Sequence, residues 1–201
     1  LIKVFGQDTY EWLLDELKSA KACLANALYE ANAAYKTNCL SRTVEILEGL
    51  PPWTGGNLGD RREELLDQAR EAVQHRDALI HNARQTLEDD GDYADAIQYA
   101  YQLSLLRVSE KVLVVTPSEA DRCADQEISE LYAELNRRSV QGIEDWISEN
   151  RWPAVLDLMR AVRKCDSPHM ASHEKALWKA VNEEIRERYR EAQSRERRGR
   201  V

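Results

Sequence analysis

The stretch from Tyr10 to Ala34, YEWLLDELKSAKACLANALYEANAA, decides the fold class of this chain. Apolar or small residues recur in it every seven positions along two neighbouring rows, one beginning at Tyr10 and the other at Leu13. This spacing is typical of an amphipathic α-helix that buries one face against another helix, and the alanines of the second row permit close approach of the two backbones. We therefore predict a helix from Asp8 to about Lys36.

The helical pattern continues along the rest of the chain and is interrupted by short polar or Gly- and Pro-containing breaks. The predicted helices alternate as long, short, long, short, long, short, long. After the first, they span about 40–50, 61–89, a short helix starting at Tyr93, 118–149, 152–164 and 172–192. Ser118 followed by Asp121 predicts a capping box at the start of the third long helix. We predict an all-α fold of about seven helices, arranged as an irregular helical-repeat solenoid or bundle.

One stretch, Val112 to Val115, leaves its structure open. Its apolar and largely β-branched residues fit a short strand, but the only partner strand in sight is the N-terminal Ile2 to Phe5. We favour a helix end or a buried loop.

The composition agrees with a helical domain. The chain has 201 residues, of which 43% are hydrophobic and 32% charged, with only eight Gly and five Pro. A chain of this length buries roughly 70% of its unfolded surface without disulfides or metals. No apolar run approaches the length of a membrane span. We predict one all-α domain over 8–192, preceded by a linker or the end of an upstream domain (1–7) and followed by a basic flexible tail (193–201).

The charge distribution excludes two classes of partner. The net charge is −8, and the stretch from Arg186 to Arg200 holds seven Arg and three Glu, so it carries +4 and the rest carries −12 (−8 minus +4). An acidic body repels nucleic acid and anionic membranes, so we expect neither as a partner. The four cysteines are far apart and form no CxxC pair, which favours free thiols and a cytoplasmic location.

The short helices predict an internal repeat. Aligned on Leu40, Tyr93 and Trp152, they share apolar residues at offsets +4, +6, +7 and +10. Any amphipathic helix would match at three of these offsets, so coincidence stays open. The recurring order of break, short helix, loop and long helix is the stronger sign of a repeat, in which stacked copies share a continuous core.

The second copy carries a family resemblance. The segment Gly91-Asp-Tyr-Ala-Asp-Ala-Ile-Gln-Tyr99, followed by Leu103 and Leu105, resembles the second-helix half of a tetratricopeptide repeat. The resemblance implies that Gly91 makes a tight turn, that Tyr93 packs back on the preceding helix and that Ala96 lets the two helices touch. It also implies a divergent helical array with a protein- or peptide-binding surface and without catalysis.

The sequence offers no arrangement that is typical of catalysis or metal binding. It contains no Gly-rich phosphate loop, nucleophile elbow or HExxH motif. His75 and His81 are six residues apart and lie on different faces of a helix. His169 and His173, beside Asp166, form at most a weak metal site, and a polar loop with helix capping explains them better. We predict no catalytic residue, no metal, no cofactor and no enzymatic activity.

The resulting hypothesis is a non-catalytic protein–protein interaction or scaffolding module of a larger protein. It would bind a peptide or helix of a protein partner in a groove between adjacent helices. The predicted binding residues are Trp53, in a Pro/Gly loop, and His81, Arg84 and Gln85 on the second long helix. The alternative is a helical regulatory or lid extension that acts on an upstream enzyme or chaperone domain of the same chain, which the strand-like Leu1 to Phe5 favours.

Overall fold

A computed structural model describes residues 7–51, 56–88, 93–108, 115–165 and 168–198. They form seven α-helices and no strand, which confirms the all-α class and the alternation of long and short helices. The helices are α1 (Gln7–Lys36), α2 (Leu40–Glu48), α3 (Asn57–Glu88), α4 (Tyr93–Leu105), α5 (Glu119–Ser148), α6 (Trp152–Arg163) and α7 (Pro168–Arg198). Within the described part of the chain, no helix has both the length and the apolar character needed to cross a membrane.

Two helices are longer than predicted. Helix α3 begins at Asn57 rather than near Arg61, because Gly56 adopts a positive φ of 81° and its carbonyl accepts the amides of Gly59 and Asp60. Helix α7 begins at Pro168 instead of Ser172 and runs beyond Ala192 to Arg198. Proline suits a first helical position, and Arg and Glu are good helix formers.

The predicted capping box at the start of α5 is confirmed. The amide of Asp121 donates to Ser118 Oγ at 3.1 Å, and the amide of Ser118 donates to Asp121 Oδ2 at 3.4 Å. The Ser118 hydroxyl donates to the same Oδ2 at 3.0 Å. This reciprocal bonding satisfies two amides that the helix cannot pair internally.

The described helices divide between two compact units, one formed by 1–75 and 108–124 and the other by 76–107 and 125–201. In the first unit α1 packs against α2, and the core includes Ala31, Leu47 and Leu66. Val115 is buried in this unit against Ala34 and Cys39, whereas Val112 to Val114 lie outside the described residues.

In the second unit the short helices α4 and α6 pack against each other, and α6 also packs against α7. Tyr93 of α4 lies edge-on to Trp146 of α5, with ring centroids 5.5 Å apart. The same ring approaches Gly142 so closely that a Cβ there would lie 2.8 Å from Tyr93 Cε2. Glycine at this position therefore lets the aromatic ring rest on the helix backbone.

Two of the breaks between long and short helices have the same geometry. Asn38 and Asn150 both adopt φ of 60°, two residues before α2 and α6 begin. In each break one amide bonds three residues back (Asn38 to Tyr35, Asn150 to Ile147) and the next bonds five back (Cys39 to Ala34, Arg151 to Trp146). This is the Schellman motif with Asn in the left-handed position. The two breaks therefore end their long helices in the same way, and an internal repeat stays a prediction.

The buried register of the short helices differs in part from the predicted one. The residues at offsets +3, +7 and +10 are buried in α4 and α6, and those at +3 and +7 are buried in α2. The buried residues at +3 are Thr43 in α2, Ala96 in α4 and Val155 in α6. At the predicted offset +4, Leu156 is 50% exposed. Helical spacing is compatible with burial of the row at offset +3 or of the row at offset +4, so contacts between helices decide which of the two is buried.

Candidate functional site

The structure describes three of the four predicted binding residues. Trp53 lies outside the described residues. His81, Arg84 and Gln85 are exposed on one face of α3, where Arg84 forms an ion pair with Glu127 of α5 at 3.2 Å. Arg84 lines a shallow hollow of about 210 Å³, whose lining includes neither His81 nor Gln85.

Of the three residues in the weak metal hypothesis, the structure describes the side chain of His173. His173 is buried, and its Nδ1 lies 2.9 Å from Asn136 Oδ1. Asp166 and the side chain of His169 are outside the described part. Among the described residues, no three His, Cys, Asp or Glu side chains cluster in a way that can hold a metal ion.

A groove of about 440 Å³ lies in the first unit between α1 and α3, and we call it the α1–α3 groove. Helix α1 lines it with Ala25, Leu28, Tyr29 and Asn32, which share one helix face by their spacing. Helix α3 lines it with Leu58, Arg61, Glu64, Leu65 and Gln68.

The floor of this groove is continuous with the core of the unit. Leu28 and Leu65 are partly buried and pack against the cluster of Ala31, Leu47 and Leu66. By contrast, Tyr29 stands at the edge with 74% of its surface exposed. The groove thus combines a fixed apolar floor with an exposed aromatic ring.

Buried Arg62 holds the α3 wall in place. Its Nε donates to the carbonyl of Leu47 at 3.1 Å and its Nη2 to that of Leu50 at 3.4 Å. The Leu47 carbonyl lies in the last turn of α2 and the Leu50 carbonyl just after the helix, where positive charge is favoured. Arg70 of α3 adds an exposed ion pair with Glu48 at 2.8 Å. Both arginines therefore tie α3 to the C-terminal end of α2.

A second, more polar hollow of about 380 Å³ lies in the second unit, and we call it the α5–α7 hollow. Ser129, Tyr132, Ala133 and Asn136 line it from one face of α5, together with Arg107 and with Ser172 and His173 of α7. Arg107 is held by Asp125, with Nη2 3.2 Å from Oδ2, so its charge is compensated beside the hollow.

Burial controls the ionisation of two groups in this hollow. The Tyr132 hydroxyl donates to the carbonyl of Ala100, and burial raises its pKa to about 12. Burial lowers the pKa of His173 to about 4, so its ring is neutral at pH 7. Because Asn136 Oδ1 accepts a hydrogen bond, His173 Nδ1 carries the proton, and the buried Nε2 has no hydrogen-bond partner among the residues that the structure describes.

Sequence reasoning missed both sites for different reasons. The hollow had a signal, because polar residues at positions 129, 132 and 136 recur at helical spacing. The α1–α3 groove had none, because leucines at helical spacing, such as Leu28 and Leu65, are typical of any helix face that packs on another helix. The spacing does not show where two packed helices diverge to leave a groove.

Comparisons with protein-family models, with curated proteins and with solved structures found no match for this chain.

Proposed function

We propose that this chain is a non-catalytic interaction module that binds an amphipathic helix or extended peptide of a partner protein in the α1–α3 groove. The observation that carries the proposal is the exposed Tyr29 beside the apolar floor of Leu28 and Leu65. Tyrosine is enriched among residues that dominate binding energy, because it buries a large area and loses little rotamer freedom.

The shape and the rim of the groove fit this kind of ligand. Two long helices form walls with apolar positions at helical spacing, as in proteins that bind an amphipathic helix. Arg61 and Glu64 place one positive and one negative charge on the rim, and Asn32 and Gln68 add hydrogen-bonding groups. A ligand with an apolar face flanked by both charge types would complement this rim.

The cysteines support a cytoplasmic location for the module. Cys23 and Cys123 are exposed and Cys39 and Cys165 are buried, and all four are free thiols. Burial raises the pKa of Cys165, which keeps its thiol protonated and unreactive. Exposed free thiols suit a reducing compartment.

Peptides selected from a random display library against the whole chain test the proposal. We expect Tyr29→Ala to weaken binding of the selected peptides at least tenfold, because truncating an aromatic anchor at a groove edge removes about 2 kcal/mol. The matched control is Tyr189→Ala, which removes a 65% exposed tyrosine of α7, and we expect it to change binding less than twofold. Calorimetry with purified peptides measures both.

Equal binding to the wild-type chain and to Tyr29→Ala would contradict the proposal. Failure to select any peptide that competes for this groove would contradict it as well. Both variants lie at exposed positions, so the melting temperature should stay within about 2 °C of the wild type, which separates lost binding from lost folding.

A further inference from the structure

Helix α1 carries an apolar seam that is buried at one end and exposed at the other. With Tyr10 and Leu13 as the a and d positions of a heptad, the seam continues through Leu17, Ala20, Leu24, Ala27, Ala31 and Ala34. Toward the C-terminal end, Leu24, Ala31 and Ala34 are buried within the first unit. Toward the N-terminal end, Leu17 is 59% exposed and Leu13 is 37% exposed.

The exposed end also has apolar flanks. Leu14 occupies the neighbouring e position and is 39% exposed, whereas the 59% exposed Trp12 occupies a c position away from the seam. Monomeric proteins expose single apolar residues commonly, but a contiguous stripe of large ones marks an interaction surface. The C-terminal part of the seam packs inside the unit, and about two heptads at its N-terminal end stay exposed and can contact another helix.

The charges that border the exposed seam select the occupant and its direction. Glu16 occupies a g position and Lys21 the following e position, and both side chains are exposed. In a parallel two-stranded coiled coil, g of one helix faces the next e of the other, so Glu16 of each copy meets Lys21 of its partner. In an antiparallel pairing of the same stretch, Glu16 of one chain would instead lie close to Glu16 of the other chain, and the two negative charges would repel each other.

We infer that the N-terminal half of α1 pairs with the same segment of a second copy of this chain as a short parallel coiled coil. The interface uses positions 10–21, before the buried Leu24, whereas the α1–α3 groove uses Tyr29 and its neighbours, so the interface is independent of the proposed peptide site. With about two heptads, the interface is small, and we expect a dissociation constant on the order of 10 µM.

Sedimentation equilibrium of the 201-residue chain over about 2–200 µM tests the inference. We expect a mass that rises from the 23.1 kDa of one chain to twice that value. Leu17→Asp should weaken dimerisation more than tenfold, because it buries a charge in the seam. The matched control is Leu156→Asp, at a leucine of α6 that is 50% exposed, and it should leave the dimer unchanged.

Two further variants test the direction. Glu16→Lys should weaken the dimer about fivefold, and adding Lys21→Glu should restore it to within twofold. In a chain whose exposed Cys23 and Cys123 are serine, Ala20→Cys should form an interchain disulfide on mild oxidation, because d positions face each other only in a parallel, in-register pair.

A chain that stays monomeric at 200 µM would overturn the inference. So would a dimer that Leu17→Asp leaves intact, since another surface would then be responsible. A dimer that depends on Leu17 but gives no Ala20→Cys cross-link would overturn the parallel arrangement. Tyr29→Ala should not change the dimer, which keeps a failure here distinct from a failure of the peptide site.

Discussion

Replacing Asp121 with alanine is expected to lower the free energy of unfolding by about 4 kcal/mol, which is a large share of the stability of a domain. The carboxylate is 1% exposed and serves two helices at once. Besides closing the capping box with Ser118, its Oδ1 accepts the amide of Ser41 at 2.8 Å and its Oδ2 accepts the amide of Arg42 at 2.9 Å. Alanine would remove the charged acceptor of both part-buried amides.

The two amides belong to the first turn of α2, whose own capping residue does not help. Cys39 occupies the N-cap position and makes no side-chain hydrogen bond to the helix. Asp121 thus replaces the missing local cap from about 80 residues away, and its negative charge suits the positive end of the α2 dipole. Hydrogen bonds to a charged acceptor contribute about 1.5–3 kcal/mol each.

Chemical denaturation checks this prediction. We expect Asp121→Asn to lose about half as much stability as Asp121→Ala, because the amide keeps one acceptor oxygen but lacks the charge. Asp157→Ala is the control, since that carboxylate forms an exposed ion pair with Arg160 and should change stability by less than 0.5 kcal/mol, a typical value for surface pairs. A loss below about 1 kcal/mol for Asp121→Ala would contradict the bridging role.

Lowering the pH from about 6.5 to about 4 is expected to destabilise the protein through His173. Burial holds its folded pKa near 4, below the ordinary value of 6.5, so the unfolded chain binds a proton that the folded chain does not. The stabilising contribution is therefore fully present above pH 6.5 and is lost as the pH falls toward 4. A shift of this size corresponds to about 3 kcal/mol.

Urea denaturation of the wild type and of His173→Gln, at several pH values between 4 and 7, measures this contribution. The difference in unfolding free energy between the two should shrink as the pH falls, because glutamine does not titrate. Exposed His75→Gln is the control and should follow the wild type at every pH. Glu134 titrates below this window, since Arg137 and Arg138 lower its pKa to about 2. Parallel profiles for the wild type and His173→Gln would contradict the prediction.

Features of the fold that depend on residues close together in the sequence could be predicted from it. Helical periodicity, the alternation of lengths and the Ser118–Asp121 cap are local properties of the chain. The start of α3 was misplaced because its Gly-containing first turn looks like a loop, although Gly56 in fact initiates the helix. Local propensity is a weak guide where one residue with positive φ sets the chain direction.

The candidate sites depend on contacts between distant residues and could not be derived in this way. The bond from Asp121 to α2 and the bond from His173 to Asn136 join residues 37 to 80 positions apart. His81, Arg84 and Gln85 share an exposed helix face, as their spacing predicts, and their role in binding a partner stays a prediction. The sequence gives one indication of the role of Asp121. Cys39 is a poor N-cap residue, so the first amides of α2 need an acceptor from elsewhere in the chain.

Hydrogen exchange of the whole chain, with and without a library-selected peptide, shows where the peptide binds. We expect slower exchange on binding in the segments 25–32 and 58–68, which form the α1–α3 groove, and unchanged exchange in the segment 129–136 of the α5–α7 hollow. Protection confined to 129–136 and the neighbouring part of α7, with the α1 and α3 segments unchanged, would contradict it.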